Sequence, residues 1–168
     1  MTEVEYRTEF SLWVMGAASL IVSTDLRNMT DFMRSVLLHK EMLAIHHDEL
    51  GISGGKVADY ISSSDNCTSV RDCQVWARPL SDGGWAMALY NRQPYDKSKN
   101  LTTSFASITG SFASLPSPPP AGARLSVRDV WSGEDLGTFE KSFTAKEIPP
   151  HGTVFLRLKA VGGGRSLN

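Results

Sequence analysis

The chain has 168 residues, with 17 Lys plus Arg against 18 Asp plus Glu, 41% hydrophobic and 21% charged residues. It is long enough for one ordinary domain and too short for a complete eightfold β/α barrel, which needs roughly 200 residues at the least. The apolar content excludes a disordered chain, and a net charge of −1 with no gathering of Lys and Arg argues against a nucleic-acid partner.

From the N-terminus, Val4, Tyr6, Phe10, Trp13 and Val14 recur at helical spacing and predict an amphipathic helix over Glu3 to Met15. Phe10 to Val22 is an apolar run of 13 residues. It is too short for a membrane span, and the preceding Glu3, Glu5 and Glu9 are unlike the basic start of a signal peptide. The run is therefore expected to be buried core, with Ser19 to Val22 as a short buried strand. Thr30 is the expected N-cap of a second helix that carries Phe32, Met33, Val36 and Leu37 on one face and ends near His39. Met42 to Ile45 is a further short apolar run, followed by a turn-rich link from Asp48 to Gly55. Helix, strand, helix is α/β grammar.

After Gly55 the pattern changes to short strands. Lys56 to Ser62, Gln74 to Pro79, Trp85 to Asn91, Leu101 to Ile108, Arg124 to Trp131, Gly137 to Phe143 and Thr153 to Leu158 are rich in β-branched or aromatic residues. Turn clusters such as Ser81-Asp82-Gly83-Gly84 separate them, so an antiparallel β-sandwich of Greek-key type is expected. The proline-rich Leu115 to Gly122 reads as a surface loop, and Gly162-Gly163-Gly164 begins a flexible tail.

Few residues offer chemistry on their own. Gly51-Ile52-Ser53-Gly54-Gly55 matches G-x-S-x-G, but a nucleophile elbow needs a strand before the serine and a helix after it. A polar His46-His47-Asp48-Glu49 segment precedes and a strand-like segment follows, so these glycines read as a linker. His39, Glu41, His46, His47 and Asp48 lack a metal-ligand spacing, and adjacent histidines in an extended segment would face opposite ways. No metal or cofactor is expected. Cys67 and Cys73 can close a small loop as a disulfide in an oxidising compartment or stand as two thiols in a reducing one. Asn28, Asn66 and Asn100 each open an N-x-[ST] glycosylation sequon.

Longer motifs say more. Phe10 to Trp13, Ala17 to Ile21, Ser23 to Met29, Lys40 to Ile45, Asp48 to Gly51, Val75 to Ser81, Trp85 to Arg92, Val127 to Trp131 and Pro149 to Gly152 resemble, in one order and at similar spacing, the retaining α-galactosidases (melibiases, glycoside hydrolase family 27). The resemblance implies a mainly β chain. Residues 1–50 would be the C-terminal fragment of a (β/α)8 catalytic barrel, 51–160 an antiparallel β-sandwich C-terminal domain and 161–168 a flexible tail. Within the barrel fragment, Thr2 to Ala18 resembles the last-but-one helix, Ser19 to Ser23 the eighth strand and Thr30 to Leu38 the closing helix. His46-His47 stands where the family usually has Asn-Gln, and Glu49 where it commonly has Pro.

The implied activity is release of terminal α-linked galactose by a double displacement that needs two carboxylates. Both catalytic aspartates would lie upstream, so no residue here inherits either role and the chain alone is expected to be inactive. Met1 aligns with an internal position of the family pattern, which implies a truncated gene model or a gene remnant. Asp25, following the eighth strand, is the one substrate-proximal candidate, against a capping role or a pairing with Arg27. The full-length protein would act on an α-galactoside oligosaccharide or glycolipid, as a monomer or homodimer, and be secreted or lysosomal/vacuolar. Two other readings stay open: a non-catalytic β-sandwich module contacting protein or carbohydrate, and a fragment of an α-N-acetylgalactosaminidase. Leu12, Trp13, Leu20, Ile21 and Val22 would lack a barrel to pack against, so a β-domain from about Gly55 to Ala160 is expected to be more soluble than the whole chain.

Overall fold

The computed structural model describes residues 1–57, 72–94, 97–111 and 122–161. Three helices open the chain, each started by a side chain that satisfies an otherwise unpaired amide. Helix α1 (Glu3–Gly16) begins with a reciprocal cap, in which the Thr2 hydroxyl accepts from the Glu5 amide at 3.3 Å and the Glu5 carboxylate accepts from the Thr2 amide at 2.7 Å. It stops at Ala17, whose left-handed φ of 50° turns its amide back to the Val14 carbonyl. Helix α2 (Asp31–Leu37) starts as expected at Thr30, which accepts from the Met33 amide at 3.1 Å. Helix α3 (Lys40–His46) is capped by His39 through Nδ1.

Eight strands follow: β1 (Gly55–Lys56), β2 (Cys73–Pro79), β3 (Trp85–Asn91), β4 (Lys99–Ser104), β5 (Arg124–Asp129), β6 (Asp135–Phe139), β7 (Ser142–Ile148) and β8 (Thr153–Val161), with helix α4 (Phe105–Ser111) after β4. Six make an antiparallel sheet in the order β1-β2-β3-β8-β5-β6, and β4 pairs β7 in a second sheet. The chain leaves the large sheet twice, once into β4 and once into β7. These excursions make the sandwich, and the mainly β, antiparallel architecture agrees with the sequence expectation.

The large sheet is covered on both faces. Trp85, Met87 and Leu89 of β3 point with Val75, Ala77, Leu156 and Leu158 into a core shared with Leu101, Phe143, Ala145 and Ile148 of the small sheet. Ala86 and Ala88, alternating with them, point the other way with Phe155 against Phe10, Val14 and Met15 of α1 and Met42 and Ile45 of α3. The helices are thus a third layer, and the central strands β2 and β3 are buried on both sides.

Several local expectations are corrected. Ser19–Val22 is not a buried strand: it is irregular, Ile21 is 85% exposed and Val22 51%, and no described strand pairs with it. Trp13 in the same apolar run is 48% exposed. Strand propensity there meets no partner ladder, and an isolated strand satisfies none of its own backbone groups. Leu101 to Ile108 is a strand only as far as Ser104; the Phe105 amide still reaches the Lys141 carbonyl, and the chain then coils into α4. Gly137 to Phe143 is two strands joined at Glu140-Lys141, not one. Of the strand expected over Lys56 to Ser62, β1 covers Gly55–Lys56 and residues 58–62 lie outside the described residues. The proline-rich loop around Pro116 to Pro120 and the glycine tail lie there too.

Two contacts fix the link and the β2–β3 hairpin. The Gly54 amide donates to the Met15 carbonyl at 2.8 Å, and a Cβ on Gly54 would stand 2.4 Å from Met15 Sδ and 2.9 Å from the Met15 carbonyl oxygen. Gly54→Ala is expected to cost about 1–3 kcal/mol by overpacking, read as a shift in the urea midpoint without a change in slope. In the hairpin, Asp82 receives the Gly84 amide at 2.9 Å and the cations of Arg157 and Lys159 at 2.5 and 2.8 Å. Partial burial alone would raise its pKa; the Lys159, Gly84 and Arg157 hydrogen bonds outweigh that and hold it at about 2. A depressed carboxylate pKa adds stability that is present above the ordinary value of 3.8 and lost as pH falls through about 2. Asp82→Asn is therefore expected to lie below wild type at pH 5 and to converge with it near pH 2, measured by denaturant unfolding.

Candidate functional site

Between α1, the 19–24 segment and the ends of α2 and α3 runs an open groove of about 510 Å³. Tyr6, Phe10 and Trp13 of α1 line it together with Leu37, Leu38, Leu43 and His47. Ser19 to Thr24 edges it, with no hydrogen bond to these residues among the described ones. The lining is apolar apart from Glu9, His47 and hydroxyls. Glu9 is the one lining carboxylate, whereas glycoside cleavage by retention requires two, about 5–5.5 Å apart. The groove as described can bind an apolar surface; it holds no pair for a double displacement.

Asp25 lies just beyond the groove. Its carboxylate caps the 3-10 turn Leu26–Asn28 by accepting from the Arg27 amide at 3.0 Å. It also pairs with the Arg27 guanidinium at 2.9 and 3.1 Å and accepts from Asn28 Nδ2 at 3.2 Å. These bonds, the Arg27 side chain first, hold its pKa below the usual carboxylate range. All four contacts are local, which is the capping and pairing arrangement weighed against a substrate role in the sequence.

The other sequence candidates are scattered. Asn28 is exposed and its amide nitrogen is engaged with Asp25. Asn100 is partly buried in β4, where its Oδ1 accepts from the Glu147 amide at 2.9 Å. Asn66 and Cys67 lie outside the described residues, and Cys73 is fully buried at the start of β2. Ser53, the serine of G-x-S-x-G, sits in an exposed link whose hydroxyl reaches only the Gly54 carbonyl at 3.4 Å, with neither the strand nor the helix of an elbow beside it. His46 and His47 correct another expectation: they end α3 instead of lying in an extended segment, and their rings touch at 5.1 Å. Burial, then the neighbouring His47 and Arg78, hold His46 below the ordinary imidazole pKa. Among the described residues no three His, Cys, Asp or Glu side chains gather as a metal site.

What joins the helices to the sheet was hidden in the sequence. Glu41 of α3 makes a two-pronged pair with Arg128 of β5 at 3.0 and 2.7 Å, and Asp135 adds a third bond to Arg128. Glu41 is held low by that guanidinium, and Arg128 is pushed up by Glu41 and then Asp135. Trp131 Nε1–H donates to the Ser11 hydroxyl at 3.0 Å, and its ring meets Phe10 and His39. Asp48 accepts the Ser81 amide and hydroxyl. Partners 33 to 120 residues apart leave no local spacing to read.

Comparison with known proteins gives these contacts a context. Residues 70–158 match the family described as alpha galactosidase C-terminal beta sandwich domain, and residues 1–48 match that described as alpha galactosidase A. A probable alpha-galactosidase of Dictyostelium discoideum is 33% identical over 159 residues, covering 94% of this chain and 36% of that protein. Alpha-galactosidase A of Cellvibrio japonicus is 34% identical, again over 94% of this chain and 36% of its own length. The solved alpha-galactosidase I of Mortierella vinacea shares the fold, with a TM-score of 0.77 at 21% identity over 95% of this chain and 36% of that one. The chain spans about a third of the length of these curated relatives. With the β-sandwich family matched over more than half of its residues, and the helical layer matched ahead of it in the same order, this chain belongs to the α-galactosidase (melibiase) family.

Proposed function

We propose that this chain is the C-terminal portion of an α-galactosidase that releases terminal α-linked galactose from oligosaccharides or glycolipids. The observation that carries the reading is the order of the two matches, 1–48 and then 70–158, in a chain that makes up 36% of relatives named alpha-galactosidase. The reaction forms and then hydrolyses a glycosyl-enzyme ester, one carboxylate attacking the anomeric carbon while a second protonates the leaving oxygen. Both carboxylates would come from polypeptide preceding the matched region, consistent with the single carboxylate of the groove. The test is turnover of 4-nitrophenyl α-galactoside by the chain alone and by the protein extended with whatever its own transcript encodes ahead of Met1. No turnover by the first and measurable turnover by the second is the expected pair. Turnover by the chain alone, or none by an extended protein of family length, overturns the reading. Assaying the matching α-N-acetylgalactosaminide and β-L-arabinopyranoside separates the sugars, since solved proteins named for each of these share the fold.

A secreted or lysosomal/vacuolar destination, a homodimer and a Cys67–Cys73 disulfide belong to the same proposal. The disulfide is supported by the burial of Cys73 and by the absence of a free cysteine among the described residues. Intact mass before and after reduction, with alkylation of any free thiol, tests it: labelling of the unreduced chain argues against the bond.

A further inference from the structure

The β2–β3 hairpin turns at Asp82-Gly83, the one Asp-Gly step in the 168 residues, and the sequence holds no Asn-Gly. Asp-Gly is the pair at which a chain most readily rewrites its own backbone, because glycine has no side chain to hinder the approach. The Gly83 amide nitrogen would attack Cγ of the protonated Asp82 carboxyl and lose its proton, one carboxyl oxygen would leave as water, and a succinimide ring would close. Water then opens the ring at either carbonyl, giving back aspartate or giving isoaspartate, which carries one more backbone carbon. No oxidant, cofactor or enzyme is needed. An exposed turn is the ordinary setting for this reaction, and Asp82 and Gly83 are both exposed.

Here both reacting groups are engaged elsewhere. The Gly83 amide donates to the Leu80 carbonyl at 3.0 Å. Asp82 Oδ1 accepts from the Gly84 amide at 2.9 Å, a bond local to the turn, whereas Oδ2 takes Arg157 Nη2 at 2.5 Å and Lys159 Nζ at 2.8 Å, both from β8. To bring Cγ over the Gly83 nitrogen, the side chain must turn and leave these partners. The ring also closes only from the protonated acid, since a carboxylate has no oxygen that can leave as water. Partial burial favours that acid, yet Lys159, Gly84 and Arg157 outweigh it and hold the carboxyl at about 2 against an ordinary 3.8, which makes the acid roughly sixtyfold rarer at neutral pH. We propose that Asp82 is a latent isoaspartate site, kept closed by the clasp of Arg157 and Lys159 from β8. A backbone carbon added there would fall between Pro79 and Trp85, the paired residues at which the β2–β3 ladder closes on the turn. The inference rests on the hairpin and is independent of the activity proposed above.

The experiment incubates the full chain at neutral pH, folded in buffer or unfolded in guanidinium chloride, and follows isoaspartate at position 82 by peptide mapping and by methyl transfer with an isoaspartyl methyltransferase. In the folded wild type it is expected to form at least about tenfold more slowly than in the unfolded chain. Arg157→Gln combined with Lys159→Gln is expected to raise the folded-state rate about tenfold over wild type, because the carboxyl is then freer to turn and to be protonated. Ile148→Val, fully buried between the two sheets, lowers stability away from the hairpin and is expected to keep the wild-type rate, which separates loss of the clasp from general loosening. A double variant no faster than Ile148→Val, or a folded wild type as fast as the unfolded chain, overturns the proposal. Should the double variant fail to fold, Lys159→Gln alone decides, since that side chain is 52% exposed, and an unchanged rate in it is the refuting outcome.

Discussion

A chain beginning at Gly55 is expected to be less soluble than the full chain and to bind an apolar dye such as ANS more strongly. The sequence alone favours the opposite, because Trp13, Ile21 and Val22 look like the surface that invites association. They are indeed exposed, but deleting residues 1–54 uncovers the second face of the large sheet, where Phe155, Leu80, Ala86 and Ala88 are buried against α1 and α3. Phe155 and Leu80 alone stand to lose burial worth about 1.5–3 kcal/mol each. Arg78 would also lose both of its carbonyl acceptors, Val14 and His46. Soluble fraction and dye fluorescence of the two proteins at matched concentration check this. Equal or lower dye binding by the shorter one would show that the sheet tolerates its bare face.

Phe155→Ala is expected to be the most damaging single change in the helix-facing layer. The side chain is fully buried at the centre of the sheet, on β8 beside Ala88 of β3, and the Phe155 carbonyl accepts the Val130 amide. Removing a buried phenyl costs about 3–5 kcal/mol, a large part of a stability of about 5–15 kcal/mol. For a chain of this size that lowers the melting temperature by roughly 6 to 20 °C. Phe139→Ala, on the edge strand β6 and only partly buried, is expected to cost less, and calorimetry of both variants gives the comparison.

The starts of α1 and α2 and the strand β3 were legible because their causes are local. Thr30 caps where a hydroxyl meets a free amide, and Trp85 to Asn91 is bounded by a glycine turn. What escaped reading depends on distant partners. Ser19 to Val22 has strand composition and no neighbouring strand among the described residues, so propensity predicts the wrong state. Leu101 to Ile108 is rich in β-branched and aromatic residues, yet only its first half finds a partner strand in β7 and the second half coils into α4. Asp25 was identified together with its pairing to Arg27. The bonds of Arg78 to the Val14 and His46 carbonyls were not, since these acceptors lie 64 and 32 residues away and an arginine in a strand carries no local mark of burial.

Burial of the central strands β2 and β3 on both sides changes what keeps them aligned. A half-exposed strand is aligned by polarity, since a slip by one residue would turn its polar side chains inward. Neither side of β3 faces water between Trp85 and Leu89, so polarity gives no such guard, and size takes its place. Tryptophan, methionine and leucine alternate with two alanines, a code of bulk on one side and clearance on the other. Slipped by one, the strand would drive an indole into α1 and leave alanine-sized gaps in the sandwich. Enlarging Ala86 or Ala88 therefore attacks the alignment itself, and variation at those two positions should be confined to small side chains.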